Sequence, residues 1–209
     1  MKYKTNQVYH IFNQGNNQQT IFFERENYLY FLRKMRKHLL PHADVLCYCL
    51  MPNHFHWLIC PNENGVASGK SIMPNLKVNH AKLEGTSKVP SNSSNLQQNL
   101  SQQIGTLLSG YTKAINKKHN RTGSLFRGKT KAKDGIIDEL MTVNGKNRQY
   151  FFRPDNDYIL QCFKYIHQNP VKAGLVESPE DWEFSSAMDY KGIRNGTLCN
   201  YELARKLLS

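Results

Sequence analysis

Residues 43–61 read ADVLCYCLMPNHFHWLICP. Two apolar runs of strand length flank a single Pro-Asn pair, which is turn chemistry. So short a link joins neighbouring strands antiparallel, so the stretch predicts a hairpin of 43–51 and 54–61 with Pro52 and Asn53 at its tip. Strand side chains alternate between faces. His54 and His56 therefore share a face, roughly 6–7 Å apart along the backbone, while Phe55 and Trp57 turn to the other face and pack. Cys47 and Cys49 also share a face. Two imidazoles so placed can converge on a divalent metal. The same short pattern also fits two partly exposed histidines on a sheet.

Working outward, residues 5–13 (TNQVYHIFN) alternate and carry β-branched and aromatic side chains, which predicts a strand. QGNNQQ is a loop. Tyr28, Phe31, Leu32, Met35 and Leu39 recur at helical spacing through 24–39, with basic residues between them, and Pro41 closes that helix. Residues 61–96 turn polar and rich in Ser, Asn, Gly and Pro, which predicts a long loop or insertion, disordered in part at 85–95. A helical stripe returns with Ile104, Leu107, Leu108, Tyr111 and Ile115, ending near His119. A basic loop then leads to a fourth strand, and 134–153 suit a short helix and a hairpin. Residues 155–170 form a helix capped by Asp155 or Asp157 and ended by Pro170, with Gly174 as a stop. Trp182 and Phe184 are expected to pack back on the body.

The order strand, helix, strand, strand, helix, strand, helix predicts an α+β, ferredoxin-like (RRM-like) antiparallel sheet with helices packed on one face. We expect one domain over 1–190 with the polar insertion at about 61–96, and a C-terminal tail at 191–209. No apolar run reaches the length of a membrane span, and the N-terminus lacks a signal-like apolar core. Five cysteines with no C-x-x-C argue against structural zinc and for buried thiols in a reducing compartment, hence the cytoplasm.

Lys and Arg number 28 against 16 acids, a formal charge of +12. That excess favours a polyanionic partner. It clusters at 33–38, 117–133 and 191–196. Lys117, Lys118, Arg121, Arg127, Lys129, Lys131 and Lys133 suit a phosphate track, with Phe126 as a stacking ring. A solvated loop fits the same residues.

Two histidines make an incomplete metal site. His10, His80, His119, His167, Asn169 and several acids are candidates for a third ligand. Tyr165 and Asn169 stand at i, i+4 and share a helix face; a tyrosine can serve as a covalent nucleophile. Tyr111, one turn before Ile115, has no ligand-type residue beside it and suits the core or a base stack.

MPNHFHWLI followed by FKYIHQNPVKAGLV resembles the HUH single-tyrosine transposases, in particular the REP-associated tyrosine transposase branch. VYHIFNQGNNQQTIFF, NKKHNRTGSLFRGK and EDWEFSSAMDY are similar to that family too, so the likeness spans about 5–60 and 100–190. The resemblance implies a metal-dependent single-stranded DNA endonuclease and strand transferase. In it His54, His56 and Asn169 hold Mg²⁺ or Mn²⁺, and Tyr165 attacks the scissile phosphate to leave a 5′-phosphotyrosine. It implies a hairpin DNA partner, no membrane, and a monomer or homodimer. Gln14 departs from the pattern, standing where relatives often carry arginine. A domesticated protein that binds hairpin DNA or RNA without cutting is the alternative.

Overall fold

The computed structural model describes residues 2–68, 97–133, 139–143, 146–150 and 156–208, with 139–143, 146–150 and 156–157 described by backbone alone. Strand β1 spans Tyr9–Gln14, helix α1 Arg25–His38, β2 Ala43–Met51, β3 His54–Pro61, the short helix α2 Glu63–Val66 and helix α3 Asn99–Lys118. β4 (Lys131–Lys133), a two-stranded hairpin of β5 (Glu139–Val143) and β6 (Lys146–Tyr150), and α4 (Asn156–Lys172) follow, then α5 (Ala187–Tyr190) and α6 (Tyr201–Leu208).

The four-stranded sheet has the order β2-β3-β1-β4 and its pairings are antiparallel. The fold is α+β and ferredoxin-like. The 43–61 hairpin forms with the expected bounds, and a register shift between Val45 and Cys47 marks a bulge in β2. Period two sorts the side chains. Ile11, Phe55, Trp57 and Ile59 enter one core with Phe31 and Met35 of α1 and Leu107 and Tyr111 of α3. Each such buried apolar side chain stabilises the fold by roughly 1.5–3 kcal/mol. The helical stripes are buried as their spacing required, with Leu32 only partly covered.

The opposite face carries Val8, Cys47, Cys49, Met51 and Leu58, and α4 covers it with Tyr158, Cys162, Tyr165 and Ile166. All five cysteines are buried, and none forms a disulfide. Trp182 and Phe184 pack back as expected: Phe184 stacks on Tyr28 at 3.8 Å and Trp182 Nε1 donates to Leu50 O at 2.9 Å. Residues 191–208 fold onto the same body, burying Leu198, Cys199 and Ala204.

Two expectations of extent are corrected. The first strand begins at Tyr9, since Thr5 and Asn6 form a turn in which Asn6 takes φ 58. Helix α4 runs through Pro170 to Lys172. Its end is set two residues on, where Gly174 adopts φ 68; Gly174 N–H donates to Val171 O and Leu175 N–H to Pro170 O, closing the carbonyls of the last turn. Residues 139–143 and 146–150 pair as antiparallel strands; the rest of 134–153, the Asp155 cap, the Asp157 side chain, His80 and positions 69–96 of the insertion lie outside the described residues. Ser68 and Gln98 form a bridge, so the stretch between them begins and ends at one place.

No helix among the described residues is long and apolar enough to cross a membrane.

Candidate functional site

β3 and β1 are the two central strands, and their α4-facing side carries three histidines. His54 and His56 rings lie 5.0 Å apart; His56 and His10 rings also lie 5.0 Å apart. His56 is fully buried and His10 nearly so. The Nδ1 atoms are all engaged at His54 and His56. His54 Nδ1–H donates to Asn53 Oδ1 at 2.6 Å, and His56 Nδ1 lies 2.8 Å from His10 Nε2. The Nε2 atoms of both His54 and His56 are buried with no hydrogen-bond partner. Asn53 accepts, so neutral His54 must keep its lone pair on Nε2.

Burial disfavours the charged imidazoles. His54 is lowered to about 4 by desolvation, partly offset by the nearby Asn169 amide. His10 is lowered to about 3 by desolvation and then by Lys133, and His56 well below its ordinary value by desolvation and its two histidine neighbours. All three are neutral at neutral pH, the state in which imidazole is a ligand.

Helix α4 brings the other two sequence candidates to the same place, within one chain. The Tyr165 ring stands edge-on to His56 at 5.4 Å and to His10 at 5.9 Å. Lys172 Nζ is 5.2 Å from the centre of the Tyr165 ring. Asn169, one turn on, is buried and donates through Nδ2 to Tyr165 O at 2.9 Å. Its amide faces His54 closely enough to favour the protonated imidazole, although His54 Nε2 completes no well-formed hydrogen bond. α4 is held here by Cys162 and Ile166 in the second core and by His167 Nε2, 2.7 Å from Ser186 Oγ. His167 is thereby structural, and His119 lies elsewhere, tilted against the Phe23 ring at 4.4 Å.

Among the described residues no three His, Cys, Asp or Glu side chains gather as a metal site. The donors that could hold a divalent cation are two imidazole nitrogens and one amide oxygen. The orphaned, buried Nε2 pair fits that use, since a buried polar atom without a partner is costly unless something else satisfies it.

The basic loop is only partly as expected. Lys117, Arg127, Lys129 and Lys131 are exposed. Lys118 pairs with Glu24, and Arg121 Nη2 donates to Gln19 Oε1 at 2.5 Å. Phe126 is corrected: it is buried against Phe31, Phe55 and Tyr111, so it offers no face to a base. The loop returns to pair just beyond the end of β1, Gly15 bridging Phe126, and that return carries the ring inward. A Cβ on Gly15 would meet Gln19 O at 2.1 Å, so only glycine allows this tight approach. Tyr111 is core, its hydroxyl donating to Ile21 O at 2.7 Å.

Two rings that sequence reasoning passed over lie better placed. Phe23 is 43% exposed, with Arg121 Cζ 5.9 Å from its centroid. Phe12 shares the face of His10 and His56, with Lys131 Nζ at 5.7 Å and Lys133 Nζ at 5.8 Å. Phe12 was recoverable from the period of β1, two residues after His10. Phe23 carried no signal, since an aromatic before a helix usually packs.

No protein-family model matches the chain, and no curated protein matches it. Among solved structures it is similar to a REP-associated tyrosine transposase bound to a REP hairpin, with a TM-score of 0.52 and 14% identity. The match covers 93% of this chain and 86% of that one. At that identity the likeness is one of fold: the sheet and helices that bring Tyr165 against the paired histidines belong to an architecture that a hairpin-bound transposase also uses.

Proposed function

We propose that this chain is a metal-dependent single-stranded DNA endonuclease and strand transferase that acts at hairpin DNA. The observation that carries the proposal is the meeting, in one chain, of Tyr165 with His56, whose buried Nε2, like that of His54 beside it, has no protein partner. The fold shared with a hairpin-bound tyrosine transposase supports it.

In this reading Tyr165 is the nucleophile. Its phenol gives up a proton and the oxygen attacks the scissile phosphorus. The bond from phosphorus to the 3′ oxygen breaks, the 3′ oxygen takes a proton, and the DNA 5′ end is left esterified to tyrosine. The ester keeps the phosphodiester's energy, so a later 3′-OH can reverse the step. A tyrosine phenol ordinarily titrates near 10; Lys172, whose Nζ lies 5.2 Å from the centre of the Tyr165 ring, is the cation at hand to offset charge that develops on the attacking oxygen. His54, His56 and Asn169 would hold Mg²⁺ or Mn²⁺; when bound, such a cation supplies Lewis-acid polarisation of the phosphoryl oxygens. Arg127, Lys129, Lys131 and Lys133 lead the strand past Phe12 toward the site, and Phe23 with Arg121 offers a second stacking surface.

The test is covalent capture. Wild-type protein with Mn²⁺ and a labelled single-stranded hairpin carrying a 5′ foot forms a denaturation-resistant adduct. Tyr165→Phe keeps the ring, binds the hairpin and forms none. An adduct with Tyr165→Phe refutes the assignment. Tight hairpin binding by the wild type without any cleavage selects the alternative, a binding protein that does not cut.

A further inference from the structure

The contact between His10 and His56 is the feature of the site that the reaction just described leaves unused. The two imidazoles sit on adjacent central strands. In the β1–β3 register His10 faces Leu58 and Phe12 faces His56, so His10 is the diagonal neighbour of His56 on the same face. Their rings are inclined by only 31°, and both are buried. His10 Nε2 and His56 Nδ1 are 2.8 Å apart, so one hydrogen lies between them.

That hydrogen has two possible homes. If His10 holds it, neutral His56 must carry its own proton on Nε2. That N–H would then be buried with no acceptor, since His56 Nε2 has no partner among the protein's atoms. A buried atom left unsatisfied is costly in either tautomer, but an Nε2–H has no lone pair with which a bound cation could relieve it. If His56 holds it on Nδ1, its Nε2 is a bare lone pair on the same face as the bare Nε2 of His54. Only the second arrangement gives two ligand nitrogens.

We propose that His10 is a positioning residue: by accepting from His56 Nδ1–H it fixes His56 in the tautomer, and at the ring angle, that offers Nε2 as a ligand. Asn53 does the same for His54 through its side-chain oxygen. The two histidines are thus oriented by two different acceptors, one from the turn and one from the neighbouring strand. Outer partners of this kind set the orientation and basicity of a ligand imidazole. The proposal rests on the metal-site reading above, and on nothing concerning the nucleophile or the DNA.

The experiment uses the full-length chain and Mn²⁺ alone. Long-range ¹H–¹⁵N imidazole spectra of metal-free wild type are expected to show His56 with a protonated Nδ1 and a bare Nε2. His10→Leu removes the acceptor; His56 is expected to move toward the Nε2–H form, and the Kd for Mn²⁺, by calorimetry, to rise about 10–100-fold. His10→Gln places an amide oxygen near the lost Nε2 and is expected to restore both the tautomer and the affinity to within a few-fold. Circular dichroism confirms that each variant is folded, and the wild-type spectrum decides the tautomer even where a variant is not. Three results overturn the proposal while leaving the metal site standing. They are a wild-type His56 protonated on Nε2, a folded His10→Leu that binds Mn²⁺ like wild type, and a His10→Gln as weak as His10→Leu. A wild-type chain that binds no Mn²⁺ overturns the metal site, and the proposal with it.

Discussion

Replacing Arg194 by Met is expected to loosen the molecule at a point far in sequence from the site but coupled to it. The guanidinium donates to both oxygens of Asp189 at 2.7 and 2.8 Å, to Glu183 O at 2.7 Å and to Ser185 O at 2.6 Å. The Asp189 side chain is 1% exposed and that of Arg194 31%. Gly196 N–H also donates to Asp189 Oδ1, at 2.9 Å. Removing the cation leaves a buried carboxylate with one backbone donor in place of a bidentate partner. Breaking a buried pair costs about 3–5 kcal/mol, and partial exposure of Arg194 puts this one near the low end, about 3 kcal/mol. For a chain of this size each kcal/mol shifts Tm by roughly 2–4 °C, so the expected fall is about 6–12 °C. Arg25→Met is the control: its bridge to Glu183 is between side chains 58% and 44% exposed, and pairs so wet contribute little. Denaturant unfolding reads both variants. An Arg194→Met midpoint as little changed as that of Arg25→Met would refute the reasoning. The functional consequence follows from Ser186, adjacent to the clamped Ser185. Its hydroxyl holds His167 of α4 at 2.7 Å, two residues from Tyr165, so the folded Arg194→Met protein should cleave more slowly than wild type.

Phe126→Ala should destabilise by about 3–5 kcal/mol, as for other buried phenylalanines, and leave the hairpin affinity of the folded protein unchanged. Phe23→Ala should do the reverse, keeping Tm and weakening hairpin binding by about 1–3 kcal/mol in an anisotropy titration. The double variant Lys129→Ala, Lys131→Ala should flatten the plot of log affinity against log salt by roughly 1.4–1.8 units, the loss of two phosphate contacts; an unchanged slope refutes the track. Burial lowers His167 to about 4, whereas in the unfolded chain it takes a proton near 6.5. Its contribution is therefore whole above about pH 6.5 and lost as pH falls toward 4, by up to about 1.4 kcal/mol per pH unit. Urea unfolding in EDTA at pH 7 and pH 5 should show that loss, and His167→Gln should reduce it.

The site was legible wherever a residue's neighbours in space are set by local period. His54 and His56 share a face because a strand repeats every two residues, and Tyr165 and Asn169 because a helix nearly repeats every four. Phe126 and His10 were misread or underread for one reason. Their surroundings depend on chain that lies far off in sequence: a loop returning to the end of β1 buries the first, and a strand 46 residues away meets the second. Pro170 looked like a helix end by its chemistry alone, yet the stop waits for the glycine whose left-handed turn closes the last carbonyls.

By itself, then, the chain's pattern of apolar and polar residues determined the strands, the helices, their order and the faces on which the chemical groups stand, since each follows from local geometry and the burial of apolar surface. Only the tertiary structure decided that the face of α4 bearing Tyr165 and Asn169 lies across the histidine face of the sheet in the same chain, that His10 meets His56, and which rings reach solvent. Those are distances between segments that no periodicity relates, and only the packing of two cores on opposite faces of one sheet sets them.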